Sequence, residues 1–314
     1  MSKRILIAIT MVLLLVGQAN AFWVWTPQSK KLTNPKWTAK DSPQEQFAYA
    51  KEVFESKAYK DAYKEFRSLL RHFPEAVEAP EAQFYIGKTL REMGKLYEAY
   101  LAFQKVIDKY PFSDKMNDVL KEQFELANLF TEKKVKVLGL DFPQQYYAID
   151  IYRKVIENYP YGELAPLSQY KIGMVLKSLG SFSEAKTEFE KVITNYPESE
   201  WVEPAKYQAA DSASLASLKA DYDQALSKEA KERFEDFVEE HPDATLSDET
   251  KEQIQALTDK EAEKSFSIAQ FYEKQKAYTS AEIYYNDVIK NYPRSSWAGK
   301  AQERLKKLRE KEKL

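Results

Sequence analysis

Residues 87–111 read GKTLREMGKLYEAYLAFQKVIDKYP, and residues 173–197 read GMVLKSLGSFSEAKTEFEKVITNYP. The two stretches share glycine, alanine, phenylalanine, valine and a final proline at the same places, as at Gly94, Ala99 and Phe103 in the first. Offsets of three and four residues put the alanine, phenylalanine and valine side chains on one face of a helix. Glycine accepts the left-handed backbone of a tight turn, and proline ends a helix. Each stretch therefore predicts two helices joined by a turn at the second glycine.

The same pattern recurs along most of the chain. An aromatic residue or histidine followed by proline closes each copy, and an alanine precedes that proline by twelve residues. The closing prolines are Pro74, Pro111, Pro160, Pro197, Pro242 and Pro293. Small, alanine, aromatic and proline positions at this spacing are typical of the tetratricopeptide repeat.

Repeats of this kind hide their apolar faces only against neighbouring repeats. We therefore predict an all-α, right-handed superhelical solenoid of about six helical hairpins across residues 42–295. Residues 296–314, which are rich in lysine, arginine and glutamate, are predicted to form a charged C-terminal capping helix.

The N-terminal residues have the form of a secretory signal peptide. Lys3 and Arg4 precede an apolar stretch at residues 5–16, and residues 19–21 (ANA) offer small side chains to signal peptidase. The apolar stretch is shorter than the about 20 residues that span a bilayer. Residues 1–21 are thus predicted to be the cleaved signal peptide of an exported protein, with an uncleaved anchor as the alternative.

Charge and cysteine content narrow the function classes. Lysine and arginine together number 47 and aspartate and glutamate 49, which leaves a formal net charge of −2. Nucleic-acid binding depends on a basic surplus, so nucleic acid is not an expected partner. The sequence contains no cysteine, so we expect neither disulfides nor a lipid attached through cysteine.

The sequence shows no phosphate-binding glycine loop, no nucleophile elbow and no histidine–cysteine metal cluster. Its two histidines, His72 and His241, stand next to repeat prolines at predicted helix ends, where a cation complements exposed carbonyl groups. Acidic pairs such as Glu239–Glu240 are predicted to lie on solvated helix faces. We therefore expect a protein that is not an enzyme and that binds no cofactor.

The inner faces of the first two repeats carry a candidate peptide-binding groove. Counted along the repeat, the first helices present aromatic and cationic side chains there, namely Phe47, Lys51, Phe54, Phe84, Lys88 and Arg91. Aromatic pockets flanked by cations suit an extended peptide that ends in an aromatic residue and a carboxylate. The alternative is that the phenylalanines pack between repeats and the cations are only solvated.

Residues 22–41 form an aromatic and basic segment that is predicted to be extended. Its aromatic residues include Phe22, Trp23, Trp25 and Trp37. Tryptophan beside lysine suits a membrane interface. The segment is predicted either to make a peripheral membrane contact or to pack its aromatic side chains along the first hairpin.

Repeats that end in Tyr-Pro-x-Ser, as at residues 196–199, resemble two exported families. One is the family of the outer-membrane assembly lipoprotein BamD; the other is the periplasmic Tol-Pal coordinator called YbgF or CpoB. The third repeat favours the BamD family, because a long first helix predicted over Phe124–Val137 is followed by a loop, Leu138–Pro143. The final repeat, which begins KSFSIAQFY at residues 264–272, also resembles the last BamD repeat.

The resemblance to the BamD family implies a non-catalytic, protein-binding scaffold at the cell envelope that acts in outer-membrane β-barrel assembly. Its expected partners are the barrel-assembly machinery and unfolded outer-membrane proteins, whose C-termini suit the predicted groove. The expected location is the periplasm, in association with the outer membrane and without a lipid anchor. The chain departs from the family by lacking the lipidated cysteine and by having six repeats rather than five, the extra one near residues 200–242. The alternative is a periplasmic adaptor of the Tol-Pal or peptidoglycan machinery.

Overall fold

The computed structural model describes the backbone of residues 24–25, 32–33, 39–132, 134–137, 140–219, 224–240 and 247–312. The predicted signal peptide, Phe22, Trp23, Trp37 and His241 lie outside the described residues.

Helices and two short β-hairpins make up the regular structure of the described residues. The helices are α1 (Pro43–Glu55), α2 (Tyr59–His72), α3 (Ala79–Glu92), α4 (Leu96–Lys109), α5 (Met116–Glu132), α6 (Gln145–Asn158), α7 (Leu164–Ser178), α8 (Phe182–Asn195), α9 (Val202–Lys219), α10 (Gln224–Glu240), α11 (Ser247–Lys274), α12 (Tyr278–Asn291) and α13 (Ala298–Glu312). The strands are β1 (Val24–Trp25), β2 (Leu32–Thr33), β3 (Lys134–Val137) and β4 (Leu140–Pro143).

The chain divides into two compact units, Met1–Val119 and Leu120–Leu314, and the division falls inside α5. The first unit contains the hairpins α1/α2 and α3/α4. The second contains α7/α8, α9/α10 and α11/α12, followed by α13, which packs on α12. Its α5 and α6 also meet, because the Phe124 and Tyr152 rings lie 5.4 Å apart between centroids. Paired helices followed by a terminal helix confirm the predicted repeat architecture.

The turns inside four of the hairpins have the same left-handed backbone. Gly94 and Gly180 have φ angles of 73° and 76°, as predicted for the turn positions. Lys57 and Lys276 hold the same conformation in the first and last hairpins, with φ angles of 63° and 62°. In each turn the next residue donates its N–H to a carbonyl five residues back, as Lys95 does to Leu90 at 2.9 Å. This bond satisfies a carbonyl that the helix end leaves unpaired.

An aromatic pair forms the core of every hairpin. A ring on the first helix packs on the predicted aromatic position of the second, with centroid distances of 5.4–5.9 Å. The pairs are Phe47–Phe66, Phe84–Phe103, Phe124–Tyr152, Tyr170–Phe189, Tyr207–Phe234 and Phe266–Tyr285. The second-helix members are fully buried, which confirms the predicted alanine–aromatic–aliphatic face.

A glutamine that sequence reasoning missed joins the helices of three hairpins. Gln46, Gln83 and Gln169 each come directly before the first-helix aromatic residue. Their side-chain amides donate to the residue nineteen positions later, to the Glu65 carbonyl at 3.0 Å, to the Ala102 carbonyl at 2.9 Å and to the Glu188 carboxylate. Because buried amides need partners, these bonds fix the register of the two helices.

The third hairpin differs from its prediction. A helix was expected to run to Val137, but α5 ends at Glu132 and β3 pairs antiparallel with β4. The register sets Val135 opposite Phe142 and Val137 opposite Leu140. Lysine and valine alternate along β3, and this period of two fits a strand, where β-branched residues are favoured. The predicted loop Leu138–Pro143 therefore contains the strand β4, and α6 begins two residues after it, at Gln145.

Candidate protein-binding surface

Tyr85 on α3 is the centre of an aromatic cluster in the first unit. Its ring centroid lies 5.8 Å from that of Phe47, 5.4 Å from that of Phe54 and 5.3 Å from that of Phe66. The Phe47 and Phe54 rings meet it edge-on, and the Phe66 ring stacks on it with an angle of 22° between the planes. Edge-on and offset-stacked rings are the favoured geometries of aromatic pairs. The cluster thus joins α1 and α2 to α3.

Two lysines lie beside the same ring. The Lys51 ammonium on α1 is 5.7 Å from the Tyr85 centroid, and the Lys88 ammonium on α3 is 5.6 Å from it. Both distances are within the range of a cation–π contact. Phe47, Lys51, Phe54, Tyr85 and Lys88, all of them half-buried, are called the Tyr85 surface below.

The structure brings four of the six predicted groove residues onto the Tyr85 surface. Phe84 is only 7% exposed and packs on Phe103, so it is a core residue of its hairpin. Arg91 is half-buried in the last turn of α3, three residues after Lys88. Sequence reasoning missed Tyr85 itself, although its position three residues before Lys88 puts it on the same helix face.

A tyrosine–glutamate pair lies at one end of this surface. The Tyr59 hydroxyl donates to the Glu92 carboxylate at 3.2 Å, and the Tyr59 ring lies 5.6 Å from that of Phe54. Desolvation of the hydroxyl and the nearby Glu92 carboxylate raise the pKa of Tyr59 above its ordinary value. The surface is therefore cationic over Tyr85 and acidic beyond Phe54. A carboxylate on this surface would be attracted by Lys51 and Lys88 and repelled by Glu92.

Of the predicted membrane or packing segment, the structure describes the β1–β2 backbone and the last residues, where the Lys40 ammonium lies 4.2 Å from the Tyr49 ring centroid. Val24 pairs with Thr33 and Trp25 with Leu32 in the antiparallel hairpin β1–β2. The Trp25 side chain, like Phe22, Trp23 and Trp37, lies outside what the structure describes. Its two predicted roles therefore remain predictions. Among the described residues, no helix combines the length and the apolar character that crossing a membrane requires.

The predicted helix-end position of His72 agrees with the structure. His72 is the last residue of α2, is exposed, and has its Nδ1 atom 2.9 Å from the Ser68 carbonyl oxygen. An imidazole there complements the carbonyl groups at a helix C-terminus. Within the described ranges, no three His, Cys, Asp or Glu side chains are grouped in a way that could hold a metal ion.

Solved structures similar to this chain are repeat proteins. The C-terminal part of a TPR repeat-containing protein from Cytophaga hutchinsonii is 19% identical, covers 83% of this chain and 88% of its own, and gives a TM-score of 0.40. A tetratricopeptide repeat protein from Parabacteroides merdae is 15% identical, covers 85% of this chain and 98% of its own, and gives a TM-score of 0.36.

Sequence comparison identifies the repeat and the family. A tetratricopeptide-repeat family model matches residues 81–113, which contain α3 from its third residue onward and the whole of α4. The outer membrane protein assembly factor BamD of Rickettsia prowazekii is 23% identical over 201 residues, which are 64% of this chain and 78% of that protein. The model of the YfiO family, described as outer membrane lipoprotein, matches residues 157–313, half of the chain. These matches confirm the predicted resemblance, and the chain belongs to the YfiO family of outer membrane lipoproteins.

Proposed function

We propose that this protein is a non-catalytic scaffold of outer-membrane protein assembly, and that its Tyr85 surface binds an extended segment of a client protein. Membership of the YfiO family and the relative named as an assembly factor support the assembly role. The observation that carries the binding proposal is the meeting of two lysines and three aromatic rings from α1 and α3.

The chemistry of this surface favours a segment that ends in an aromatic side chain and a carboxylate. An aromatic side chain gains edge-on contacts with Phe47 and Phe54. A carboxylate gains charge-assisted hydrogen bonds from Lys51 and Lys88, with Arg91 one turn further along α3. The acidic pair at Tyr59 and Glu92 repels a carboxylate placed the other way round. One orientation of the segment is therefore preferred.

Binding of a short fluorescent peptide that ends in phenylalanine with a free carboxylate tests this proposal. We expect the double variant Lys88→Glu, Arg91→Glu to weaken binding about tenfold or more, because like charges face each other across the contact. The matched control, Lys154→Glu with Lys228→Glu, makes the same change of charge in the second unit and leaves binding unchanged. Equal affinity of the wild type and the Lys88 and Arg91 variant would remove the Tyr85 surface as the binding site.

The cellular role is tested separately, by a photo-crosslinker in place of Glu92, whose exposed side chain lies at the end of this surface beside Tyr59. Capture of the barrel-assembly machinery or of nascent outer-membrane proteins in cells supports the assembly role. Capture of Tol-Pal or peptidoglycan-synthesis proteins instead overturns that role and favours the periplasmic adaptor. Both outcomes leave peptide binding by the purified protein to be judged on its own measurement.

The proposed location is the periplasmic side of the outer membrane, after export and removal of residues 1–21. The aromatic segment at residues 22–41 is proposed as a peripheral membrane contact. Flotation with liposomes measures this contact directly. We expect the chain that begins at residue 22 to float and the chain that begins at residue 41 to remain at the bottom. If both chains behave alike, the segment has a packing role.

A further inference from the structure

A second cleft lies in the first unit, among α2, α3 and α4. It has a volume of about 550 Å³. Leu70, Ile86, Leu90 and Ala102 provide apolar lining. On α3, Ile86 and Leu90 point roughly 150° away from Tyr85 and Lys88, since successive residues are turned by about 100°. The cleft is therefore separate from the Tyr85 surface.

The rim of this cleft is cationic. Its exposed cations are Arg67 and Arg71 on α2, Lys95 before α4 and Lys105 on α4. Glu98 is the one acidic residue among the described residues that line it. The Arg67 guanidinium lies 5.6 Å from the Tyr63 ring centroid, a contact that leaves its in-plane N–H groups available to an acceptor.

The equivalent place in the fourth hairpin contains a carboxylate. Glu188 on α8 is 8% exposed and accepts a hydrogen bond from Gln169 on α7. Its carboxylate oxygen lies 3.0 Å from the Lys191 ammonium and 3.8 Å from the Arg153 guanidinium. Three side chains thus surround this glutamate. They are an arginine 35 residues before it, a glutamine 19 residues before it and a lysine three residues after it.

The cleft repeats this arrangement without the carboxylate. Arg67, Gln83 and Lys105 stand at the same three offsets from Ala102, which takes the place of Glu188. Gln83 donates to the Ala102 backbone carbonyl at 2.9 Å, and the Ala102 side chain offers no acceptor. Arg67 and Lys105 have no carboxylate within 4 Å among the residues that the structure describes. Two cations and an apolar floor are left open to a ligand.

We propose that this cleft binds an acidic, amphipathic segment of a partner protein. A carboxylate of that segment takes the position over Ala102 that the Glu188 carboxylate has in the fourth hairpin, between Arg67 and Lys105. An apolar side chain of the same segment packs on Leu70 and Ile86. The cleft is concave with its apolar lining below the cations, so it suits a side chain that reaches inward. A flat lipid surface reaches only the rim.

Selection of peptides from a random display library on the wild-type protein, with counter-selection on Ala102→Glu, tests this proposal. The glutamate introduced at position 102 places the protein's own carboxylate where the partner's carboxylate would bind, so it blocks the site. Its expected contacts with the glutamine, lysine and arginine are those that Glu188 makes in the fourth hairpin. We expect the selected peptides to contain aspartate or glutamate beside an aliphatic or aromatic residue. Failure to find peptides that Ala102→Glu rejects, or selection of peptides without acidic residues, overturns the proposal.

A synthetic copy of the strongest selected peptide gives the quantitative measurement by fluorescence anisotropy. We expect about tenfold or greater weakening by Ala102→Glu, by Arg67→Glu with Lys105→Glu, and by replacement of the peptide's acidic residues with amides. The second variant keeps the test valid if Ala102→Glu lowers the melting temperature. Lys88→Glu with Arg91→Glu is expected to leave this affinity unchanged, and a loss there would assign the peptide to the Tyr85 surface and overturn the proposal. Cosedimentation with phosphatidylglycerol vesicles that depends on Arg67 and Lys105 would overturn it in favour of lipid.

Discussion

At the scale of single residues, the small side chains of the repeat are explained by the rings opposite them. A Cβ atom added at Gly87 would lie 2.5 Å from the Phe103 ring, and one added at Gly173 would lie 2.6 Å from the Phe189 ring. Carbon atoms in contact need about 3.5 Å or more. The glycine and the ring therefore depend on each other, and together they set how closely the two helices approach.

This dependence predicts the cost of a single methyl group. Gly87→Ala should lower the free energy of unfolding by about 1–3 kcal/mol, because the Phe103 ring is buried and has to shift. Urea denaturation measures the change. Gly299→Ala is the control, since nothing lies within 4 Å of its added Cβ and alanine favours a helix. Equal stability of Gly87→Ala and the wild type would contradict the close contact between position 87 and the Phe103 ring.

The sequence predicted the buried alanine and aromatic residues of the second helices but missed Gln83 and Tyr85 and misplaced Phe84. Gln83 was not noticed because glutamine is usually exposed, and only its bond to the Ala102 carbonyl explains its burial. Phe84 was assigned to a groove because its place on the helix was known and the direction of its ring was not. Predicting that Tyr85 contacts Phe47 and Phe54 would have required knowing how α1 approaches α3.

At the scale of elements, an ion-pair cluster joins the second helices of adjacent hairpins in the second unit. Glu229 on α10 accepts from Lys186 on α8 at 2.7 Å and pairs with Arg233 at 2.9 Å. Arg233 also reaches Glu190 on α8 at 2.5 Å. Partial burial by itself would raise the pKa of Glu229, but the bonds from Lys186 and Arg233 outweigh it, and the pKa is lowered.

The lowered pKa fixes the sign of an acid effect. Glu229 contributes stability that is present above its unfolded pKa of 4.5 and is lost as the pH falls through the folded value. Glu229→Gln should therefore cost at most about 1 kcal/mol near neutral pH, since the pair is partly screened by solvent. The difference from the wild type should vanish in acid. Urea denaturation at several pH values measures it.

Glu261 provides a control of opposite sign. Burial raises its pKa, and Lys231 only partly offsets that effect. Its neutral form is therefore favoured by folding, and the stability that this provides is lost as the pH rises above 4.5. In Glu261→Gln the free energy of unfolding should no longer fall for this reason as the pH rises above 4.5. If Glu229→Gln and Glu261→Gln show the same pH trend, the assignment of charged partners in this unit is wrong.

The β3–β4 hairpin shows where sequence reasoning failed at the level of elements. Helical periodicity through α5 was extended across Lys134–Val137, although lysine and valine alternate there with the period of a strand. Four residues are too few for either periodicity to stand out. The turns at Lys57 and Lys276 were unpredictable for another reason, because lysine carries no sequence sign of a left-handed backbone.

At the scale of the whole molecule, buried tyrosines in the second unit make the fold sensitive to alkali. Burial raises the pKa of Tyr152, Tyr207 and Tyr285 well above the ordinary value of 10.0, and the nearby carboxylates of Glu125, Glu249 and Glu273 act in the same direction. Tyr285 donates to Glu273 at 2.7 Å, a bond that only the neutral phenol makes. Folding thus favours the protonated tyrosines.

Ionisation of these tyrosines lowers the stability of the folded chain in alkali. The unfolded chain loses these protons near pH 10 while the folded chain keeps them, so stability is lost as the pH rises above about 10. Each tyrosine contributes up to about 1.4 kcal/mol per pH unit there. Denaturation between about pH 8 and 11 should show this slope, and Tyr152→Phe should reduce it. Phe112→Leu, at a fully exposed ring that carries no titrating group, should leave the slope unchanged.

The aromatic pairs of the hairpins also govern the order of events in time. The two members of each pair are separated by between 19 residues, as for Phe84 and Phe103, and 28 residues, as for Phe124 and Tyr152. Contacts over such short stretches close quickly, and proteins dominated by them are fast folders. A chain that leaves the ribosome or a translocation channel N-terminus first forms its initial hairpin before the later ones have emerged. We therefore expect the hairpins to fold one after another from the N-terminus, in the order in which they emerge.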